Sequence, residues 1–240
     1  MCAQKTVLIT GGNGGIGYAT AAALAASPAY HVIIGSRSLE KGKTALAKLS
    51  SKGSVSLVQL DVTDATSIAA AVATVEKDRG RLDTLINNAG VGPTSPSLSV
   101  ELLRNTFETN VFGVAAVTDA FLPLLRKSLD PRLIHVTSPL GSSTLRASGA
   151  PLPPFHTYEI SKAALNMLAL IHRDLFKGEI KVITLDPGFN ATNLGGDPEA
   201  MRRGGGGDPA KAGEFIKSVV EGKRDADSNK MINEGGSIPW

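Results

Sequence analysis

The chain alternates short runs of β-branched residues with longer segments rich in Ala and Leu. The runs have the length and composition of buried strands, and they are KTVLIT, HVIIGS, VSLVQL, LDTLIN, RLIHVTS and IKVITLD. The segments between them predict helices near 16–26, 39–49, 65–79, 100–127 and 158–176. Strands that alternate with helices are joined by right-handed crossovers, which produce a parallel sheet covered on both faces. The pattern therefore predicts a doubly wound α/β fold.

Length and charge narrow the class of protein. The 240 residues, 42% of them hydrophobic, fit a single domain over 1–240. Lys and Arg number 25 against 22 Asp and Glu, a net charge of +3 without a long run of one sign. Such a balance favours an ordinary solvated surface over one that binds nucleic acid, so we expect no nucleic-acid partner.

Cysteine content and hydropathy indicate the compartment. Cys2 is the single cysteine, so an internal disulfide is impossible and a reducing environment is favoured. The apolar run from Val7 to Ile9 is too short for a signal peptide, and no stretch has the length of a membrane span. We expect a soluble, cytoplasmic protein without a membrane partner.

Glycines cluster directly after the first predicted strand, in ITGGNGGIGYA. Gly11, Gly15 and Gly17 let the backbone turn tightly, and the amide groups that open the following helix can bind a diphosphate. A simple strand-to-helix turn is the alternative. A Walker-type loop is excluded, because the first glycine that GKT at 42–44 requires would fall on Arg37.

The second predicted strand ends in IIGSRS, without a carboxylate. In a dinucleotide-binding fold, an acidic residue at this place binds the ribose 2′-hydroxyl, whereas an arginine suits a 2′-phosphate. Ser36 and Arg37 therefore favour NADP(H) over NAD(H). The alternative is that Arg37 is an ordinary solvated arginine.

Motifs along the chain resemble those of the classical short-chain dehydrogenases/reductases. In order, they are Thr10-Gly11-x-x-x-Gly15-Ile16-Gly17, Asp61-Val62, Asn87-Asn88-Ala89-Gly90, Asn110, Ser138, Tyr158-x-x-x-Lys162, and Pro187-Gly188 with Thr192. The resemblance runs from about Thr6 to Thr192 and implies a Rossmann-type domain. The ending INEGGSIPW is similar to the terminal hairpin of the carbonyl-reductase branch that includes C-factor and sniffer-type proteins.

The resemblance implies a set of cofactor contacts. It assigns the diphosphate to Gly11, Asn13 and Ile16, the 2′-phosphate to Ser36 and Arg37, and the adenine to Asp61 and Val62. It assigns the ribose and nicotinamide to Asn88, Gly90, Tyr158 and Lys162, with Phe189 and Thr192 on the carboxamide side. It further implies that Asn110 holds a water that passes protons to Lys162.

Tyr158 and Lys162 lie four residues apart on a predicted helix, so they share one face. A free tyrosine has a pKa of about 10, and a nearby ammonium favours its phenolate. With NADPH as hydride donor, Tyr158 would protonate a carbonyl oxygen while Ser138 holds that oxygen. In reverse, the phenolate would be the base for alcohol oxidation. A solvent-facing contact four residues apart is the alternative for the pair.

Other chemistries fit the sequence less well. No G-x-S-x-G motif occurs for a serine hydrolase, and the four histidines lack ligand spacing, so no metal is expected. Thr137 is the alternative to Ser138 as the hydroxyl that binds the carbonyl oxygen, although strand alternation places the two side chains on opposite faces.

Two alternatives stay open for the protein as a whole. It could be an NADP-binding regulator or scaffold without turnover, or an alcohol dehydrogenase working in the oxidative direction.

Two segments are predicted to shape the substrate site. An inserted loop at about 139–157 presents either an apolar wall or surface padding, with Leu140, Leu145, Leu152 and Phe155. The tract RRGGGG lies in a flexible loop at about 193–208, before a last helix at about 209–221. An apolar loop over an open pocket favours a small-molecule carbonyl substrate that is hydrophobic, aromatic or polyketide-like.

The long helix predicted at 100–127 is apolar on most sides. Its apolar residues include Val111, Phe112, Val114, Val117, Phe121 and Leu125. An ordinary buried helix has this composition. In the family that the chain resembles, this helix and the Tyr158 helix often form a subunit interface, which implies a homodimer or homotetramer.

Overall fold

The computed structural model describes residues 4–49, 54–93, 98–149 and 153–240. The strands are β1 (Lys5–Thr10), β2 (Tyr30–Ser36), β3 (Ser54–Gln59), β4 (Thr84–Asn87), β5 (Arg132–Val136), β6 (Lys181–Leu185), β7 (Met231–Asn233) and β8 (Gly236–Ile238). The α-helices are α1 (Gly15–Ala25), α2 (Leu39–Lys48), α3 (Ala65–Arg79), α4 (Val100–Phe107), α5 (Gly113–Leu125), α6 (Ser143–Ala147), α7 (His156–Leu175), α8 (Pro198–Arg203) and α9 (Pro209–Val220). Strands and helices alternate from β1 to β6, which confirms the predicted α/β pattern.

All these strands belong to one sheet, in the order β3-β2-β1-β4-β5-β6-β7-β8. Neighbouring strands are parallel except β7 and β8, which pair antiparallel as a hairpin. The predicted doubly wound, Rossmann-type fold is therefore confirmed. The strand order reverses between β1 and β4, and such a switch point opens a crevice at the carboxyl ends of the strands.

A hydrophobic cluster covers each face of the sheet. Val7 and Ile9 of β1 point to the cluster beneath α1 and α9, whereas Leu8 points to the cluster beneath α3 and α5. This alternation is the period of two that a strand imposes, and it explains why the central residues of β1, Val7 to Ile9, are all apolar. No helix in the described ranges combines the length and the apolarity needed to cross a membrane.

The helix predicted at 100–127 is interrupted. Between α4 and α5 the chain forms a π-helical turn, Glu108–Phe112, and α5 ends at Leu125. The predicted single helix is therefore wrong in its continuity. Extra residues in a π-turn rotate the side chains on either side relative to each other, and such turns are frequent at functional sites.

The segment predicted as an inserted loop at 139–157 contains regular structure. It forms a 3₁₀ turn at Pro139–Gly141 and the short helix α6, whose first turn is capped by the Ser142 hydroxyl. Helix α7 begins at His156, so Tyr158 lies in its first turn. Leu152 lies outside the described residues. The described parts of this segment, 139–149 and 153–157, therefore contain short helical elements within the predicted insertion.

The segment predicted as a flexible loop at 193–208 is also partly helical. A 3₁₀ turn, Asn193–Gly195, precedes α8, and the glycine tract follows. The Gly207 N–H donates to the Phe189 carbonyl at 2.9 Å, and the Ala191 N–H donates to the Gly207 carbonyl at 3.0 Å. The end of the tract is therefore paired with the chain that leaves β6.

The close contact between α1 and α9 depends on a glycine. A Cβ atom on Gly213 would lie 2.5 Å from the Ala19 carbonyl oxygen. We expect Gly213→Ala to lower the free energy of unfolding by about 1–3 kcal/mol through overpacking, measured by urea denaturation. Helix propensity alone would give the opposite sign, since Ala exceeds Gly by about 1 kcal/mol within helices.

The exposed neighbour Glu214 provides the matched control. Glu214→Ala should be more stable than Glu214→Gly, which isolates the propensity of this helix from its packing. A Gly213→Ala protein as stable as the unmodified chain would contradict the packing argument.

Candidate active site

The glycine turn between β1 and α1 lies in close contact with the segment after β4, at the switch point of the sheet. Gly11 and Gly15 have positive φ angles of 65° and 51°, which glycine adopts without steric cost. A Cβ atom on Gly17 would lie 2.5 Å from both the Gly11 carbonyl oxygen and the Asn88 side-chain nitrogen. The amide groups that open α1 therefore face the crevice at a helix N-terminus, where a diphosphate binds favourably. The residues present fit a dinucleotide.

Hydrogen bonds connect the ends of β1 and β4 beside this turn. The hydroxyl oxygen of Thr10 accepts from the backbone N–H groups of Asn88 and Ala89 at 3.0 and 2.9 Å. The side chain of Asn88 donates to the Thr10 carbonyl at 2.9 Å. Asn88, predicted to contact ribose, thus also links the two strands. At the following Gly90, a Cβ atom would lie 3.3 Å from Oδ1 of Asn110.

The carboxyl end of β2 carries the residues predicted to bind a 2′-phosphate. The side chain of Arg37 is 79% exposed, and its Nε lies 4.0 Å from Oδ2 of Asp61. The buried Ser36 hydroxyl donates to the Ser38 carbonyl at 2.8 Å. Oδ1 of Asp61 accepts from the backbone N–H and the hydroxyl of Thr63. A guanidinium next to a hydroxyl is an arrangement that suits a phosphate.

The other predicted cofactor residues lie along the same edge of the sheet. Asn13 and Ile16 are half-buried in the glycine turn, and Val62 is buried after β3. The Thr192 side chain lies against the turn, because a Cβ atom on Gly15 would meet its Cγ2 at 3.3 Å. Phe189 is 54% exposed.

Tyr158 and Lys162 lie on one face of α7, and both are buried. The Lys162 ammonium donates to the Val136 carbonyl at 2.8 Å and lies 5.4 Å from the centroid of the Tyr158 ring. Ser138 lies just beyond β5, near the Tyr158 phenol, and its hydroxyl acts to lower the pKa of that phenol. The structure therefore brings these three side chains together, and the solvent-facing alternative for the Tyr158 and Lys162 pair is wrong.

The neighbouring hydroxyls point elsewhere. Thr137 Oγ1 donates to Oδ1 of Asn166 at 2.5 Å and is buried. The Ser142 hydroxyl accepts from the Leu145 N–H at the start of α6. Of these three hydroxyls, that of Ser138 is the one that influences the pKa of the Tyr158 phenol, in keeping with the opposite faces that strand alternation predicts for Thr137 and Ser138.

Asn110 lies in the π-turn and is fully buried. Its Oδ1 accepts from the Val91 N–H, and its Nδ2 donates to the Val91 carbonyl and to the Ser161 hydroxyl, at 2.9, 2.9 and 3.0 Å. The amide group thus connects the chain after β4 to α7. These bonds hold the segment after β4 against α7. The water that Asn110 is expected to hold stays a prediction.

Burial dominates the electrostatics of the site. It lowers the pKa of Lys162 to about 8, against the opposing effect of the Asp186 carboxylate. Burial, and secondly Asp186, raise the pKa of Tyr158 well above its usual value, while the hydrogen bond from Ser138 opposes this rise. The pKa reduction expected from the sequence is absent from the site as it stands, because burial disfavours the phenolate.

The position of the Asp186 carboxylate near Lys162 was not predicted from the sequence. It follows β6 in the sequence DPG, which reads as a strand-ending turn, and its Oδ1 does accept from the Gly188 N–H at 3.0 Å. Burial nevertheless raises the pKa of this carboxyl to about 6. Only the pairing of Val136 with Leu185 across the sheet reveals that Asp186 lies near Lys162.

Gly92 and Leu194 were also missed, since neither belongs to a motif. A Cβ atom on Gly92 would lie 3.1 Å from Leu194 Cγ and 3.4 Å from Tyr158 Cδ2. The two residues therefore form part of the wall around the phenol. Their position depends on how the segments after β4 and β6 fold back over the crevice.

Comparison with known proteins gives the same assignment. The family model described as short chain dehydrogenase matches residues 5–202. The chain is 35% identical to short-chain dehydrogenase/reductase tropE of Talaromyces stipitatus, over 98% of this chain and 97% of that protein. It is 40% identical to short-chain dehydrogenase anuI of Penicillium roqueforti, over 92% of this chain and 86% of that protein.

Two solved structures share the whole fold. NADPH-bound carbonyl reductase from chicken fatty liver is 29% identical, with a TM-score of 0.83 over 100% of both chains. An alcohol dehydrogenase from Thermococcus sibiricus, complexed with 5-hydroxy-NADP, is 26% identical with a TM-score of 0.80 over 91% of both chains. The chain belongs to the short-chain dehydrogenase/reductase family and is an oxidoreductase that uses a nicotinamide cofactor and acts on alcohol or carbonyl groups.

Proposed function

We propose that this protein is an NADPH-dependent carbonyl reductase that converts a ketone or aldehyde to an alcohol. One observation carries the proposal: Ser138 lies near the buried pair of Tyr158 and Lys162, beside a glycine turn that fits a diphosphate. The similarity to NADPH-bound carbonyl reductase over the full length of both chains supports it.

Each of the three side chains has a separate task in this proposal. The bound nicotinamide cofactor supplies the hydride. The Tyr158 phenol donates its proton to the carbonyl oxygen, and the Ser138 hydroxyl binds the same oxygen as negative charge develops. The Lys162 ammonium, 5.4 Å from the Tyr158 ring, stabilises the phenolate that remains.

The direction of the pKa shift at Tyr158 supports its role as a general acid. Burial and Asp186 raise the pKa of the phenol, which favours the protonated form that a general acid needs. Alcohol oxidation would start from the phenolate, which the same environment disfavours.

The end of β2 supports NADP(H) as the cofactor. Arg37 presents an exposed guanidinium there, next to Ser36. The nearest carboxylate, Asp61, lies after β3 and is already hydrogen-bonded to Thr63. A 2′-phosphate would therefore meet a cation, as the amino-acid types predict.

The substrate class follows from the apolar side chains near the phenol. The ring of Phe155 packs edge-on against Tyr158 with a centroid distance of 6.3 Å, and Leu194 contributes from the opposite segment. Phe189, in the segment that leaves β6, exposes more than half of its surface. We infer a hydrophobic carbonyl compound, of aromatic or polyketide-like character.

We further propose that two copies of the chain associate through α7. Its outer face carries an apolar stripe, which includes Ile160, Met167, Ile171 and Leu175. Phe112 of the π-turn is 55% exposed. Apolar stripes of this kind on a single copy are typical of surfaces that bind another protein, and a homodimer or homotetramer would cover this one.

The first experiment tests reduction itself. We expect NADPH absorbance to fall with hydrophobic ketones, aldehydes or quinones, and Tyr158→Phe to lower kcat by about 10²–10⁴-fold, since the general acid is removed. Tyr30→Phe, a buried tyrosine in β2 away from the site, serves as the control and should retain activity. NADPH binding without turnover of any carbonyl would favour a regulator or scaffold and reject the proposal.

The second experiment tests the cofactor. Arg37→Ala should reduce the preference for NADPH over NADH by about 10- to 100-fold, because a charge-assisted hydrogen bond contributes about 1.5–3 kcal/mol. Arg126→Ala removes an arginine that pairs with Glu179 on another surface and should change nothing. An unaltered preference in Arg37→Ala would remove Arg37 from the 2′-phosphate site.

The third experiment tests association. Sedimentation velocity should show a dimer or tetramer, and Ile171→Glu should convert it to monomer by placing a charge in the stripe. Leu129→Glu is the matched control, because Leu129 is fully exposed beyond α5, away from the stripe. A monomer at all concentrations would contradict the proposed assembly.

A further inference from the structure

We propose that Asn166 is a positioning residue that holds the Ser138 hydroxyl in place for catalysis. The inference rests on the proposed function and assigns a role to a side chain outside the family motifs found in the sequence. Asn166 lies on α7, one turn after Lys162, and it is buried. The side-chain bonds of Asn166 go to Thr137 and Gly141 and not to the side chains of Tyr158 or Lys162, so it acts through the chain around Ser138.

The Asn166 amide bonds to both sides of Ser138. Its Oδ1 accepts from the Thr137 hydroxyl at 2.5 Å, one residue before Ser138. Its Nδ2 donates to the Gly141 carbonyl at 3.0 Å, three residues after Ser138. One side chain therefore holds the two ends of a five-residue segment that has Ser138 inside it.

The segment itself is a tight turn. The Gly141 N–H donates to the Ser138 carbonyl at 3.0 Å, and the Leu140 N–H donates to the Ser138 hydroxyl oxygen at 3.2 Å. A movement of Gly141 is therefore transmitted to Ser138 directly. Because Leu140 supplies the hydrogen to the hydroxyl oxygen, the Ser138 O–H remains available as a donor to the phenol or the substrate.

The turn also lies unusually close to α7. A Cβ atom on Gly141 would lie 2.6 Å from the main-chain carbon of Lys162. The ammonium of Lys162 donates to the Val136 carbonyl, two residues before Ser138. The helix that carries the general acid thus binds the chain before and after Ser138, and Asn166 supplies two of these bonds.

An apolar residue at 166 would leave this arrangement incomplete. The Thr137 hydroxyl is a donor and the Gly141 carbonyl is an acceptor, so the partner must both accept and donate, as an amide does. Leu has nearly the shape of Asn without either function. In Asn166→Leu, two buried polar groups lose their partner, and the turn is expected to shift to recover it.

The test compares Asn166→Leu in the unmodified protein and in Ser138→Ala. A displacement of about 1 Å at a reacting group costs up to about 100-fold, so Asn166→Leu should lower kcat by roughly 10- to 100-fold. The KM for NADPH should change little. In the Ser138→Ala protein, measured under single-turnover conditions with excess enzyme, the same substitution should have almost no further effect, because its target is absent.

Thr6→Val is the control for a general loss of buried polar contacts. The Thr6 hydroxyl is buried at the start of β1 and accepts from Nε of Arg79, whereas Ser138 follows the carboxyl end of β5. Its substitution should leave kcat unchanged and should not interact with Ser138→Ala. If the effects of Asn166→Leu and Ser138→Ala instead multiply, Asn166 acts independently of Ser138 and the proposal is wrong.

A measurement on the cofactor-free protein separates this inference from the proposed function. Hydrogen exchange of the amides at 140–142 should be faster in Asn166→Leu than in the unmodified protein, while Thr6→Val leaves it unchanged. An inactive protein with this acceleration would reject the reductase function and retain Asn166 as the anchor of the turn. Unchanged exchange at 140–142 would overturn the positioning role whether or not a carbonyl is reduced.

Discussion

The structure depends on the burial of one ammonium group. Lys162 is almost completely removed from solvent, and an unpartnered charge in such a place is costly. The Val136 carbonyl satisfies one of its donors, and the Asp186 carboxylate provides opposite charge nearby. The carboxyl ends of β5 and β6 must therefore stay in register beneath α7. The same requirement fixes where the Tyr158 phenol lies, since both side chains belong to one helix.

Around this group, polar side chains connect segments that the sheet alone would leave independent. Thr10 and Asn88 join β1 to β4, Asn110 joins the chain after β4 to α7, and Asn166 joins α7 to the turn after β5. Each bond pairs a buried group that would otherwise be unsatisfied, so each contributes to stability as well as to geometry. The cofactor edge is thereby a continuous network from the glycine turn to Ser138.

Much of this could be predicted from the sequence, and the reason is local. Most strands carry a run of apolar residues because the sheet is covered on both faces, the glycines mark the turn at the switch point, and Tyr158 and Lys162 share a face at helical spacing. The π-turn at Glu108–Phe112 could not be predicted, because its residues are compatible with a continuous helix. Asp186 and Asn166 were missed for another reason, since their partners lie on other elements and no spacing in the sequence records them.

The bridge between Gly207 and the chain leaving β6 has a consequence for how this fold can vary. Because Gly207 bonds to both Phe189 and Ala191, the two ends of the intervening segment are fastened next to each other. Because these bonds fix both ends, the segment between them, which contains α8, can vary in length and sequence while the sheet is kept. Such variation offers a route by which related proteins acquire different substrates.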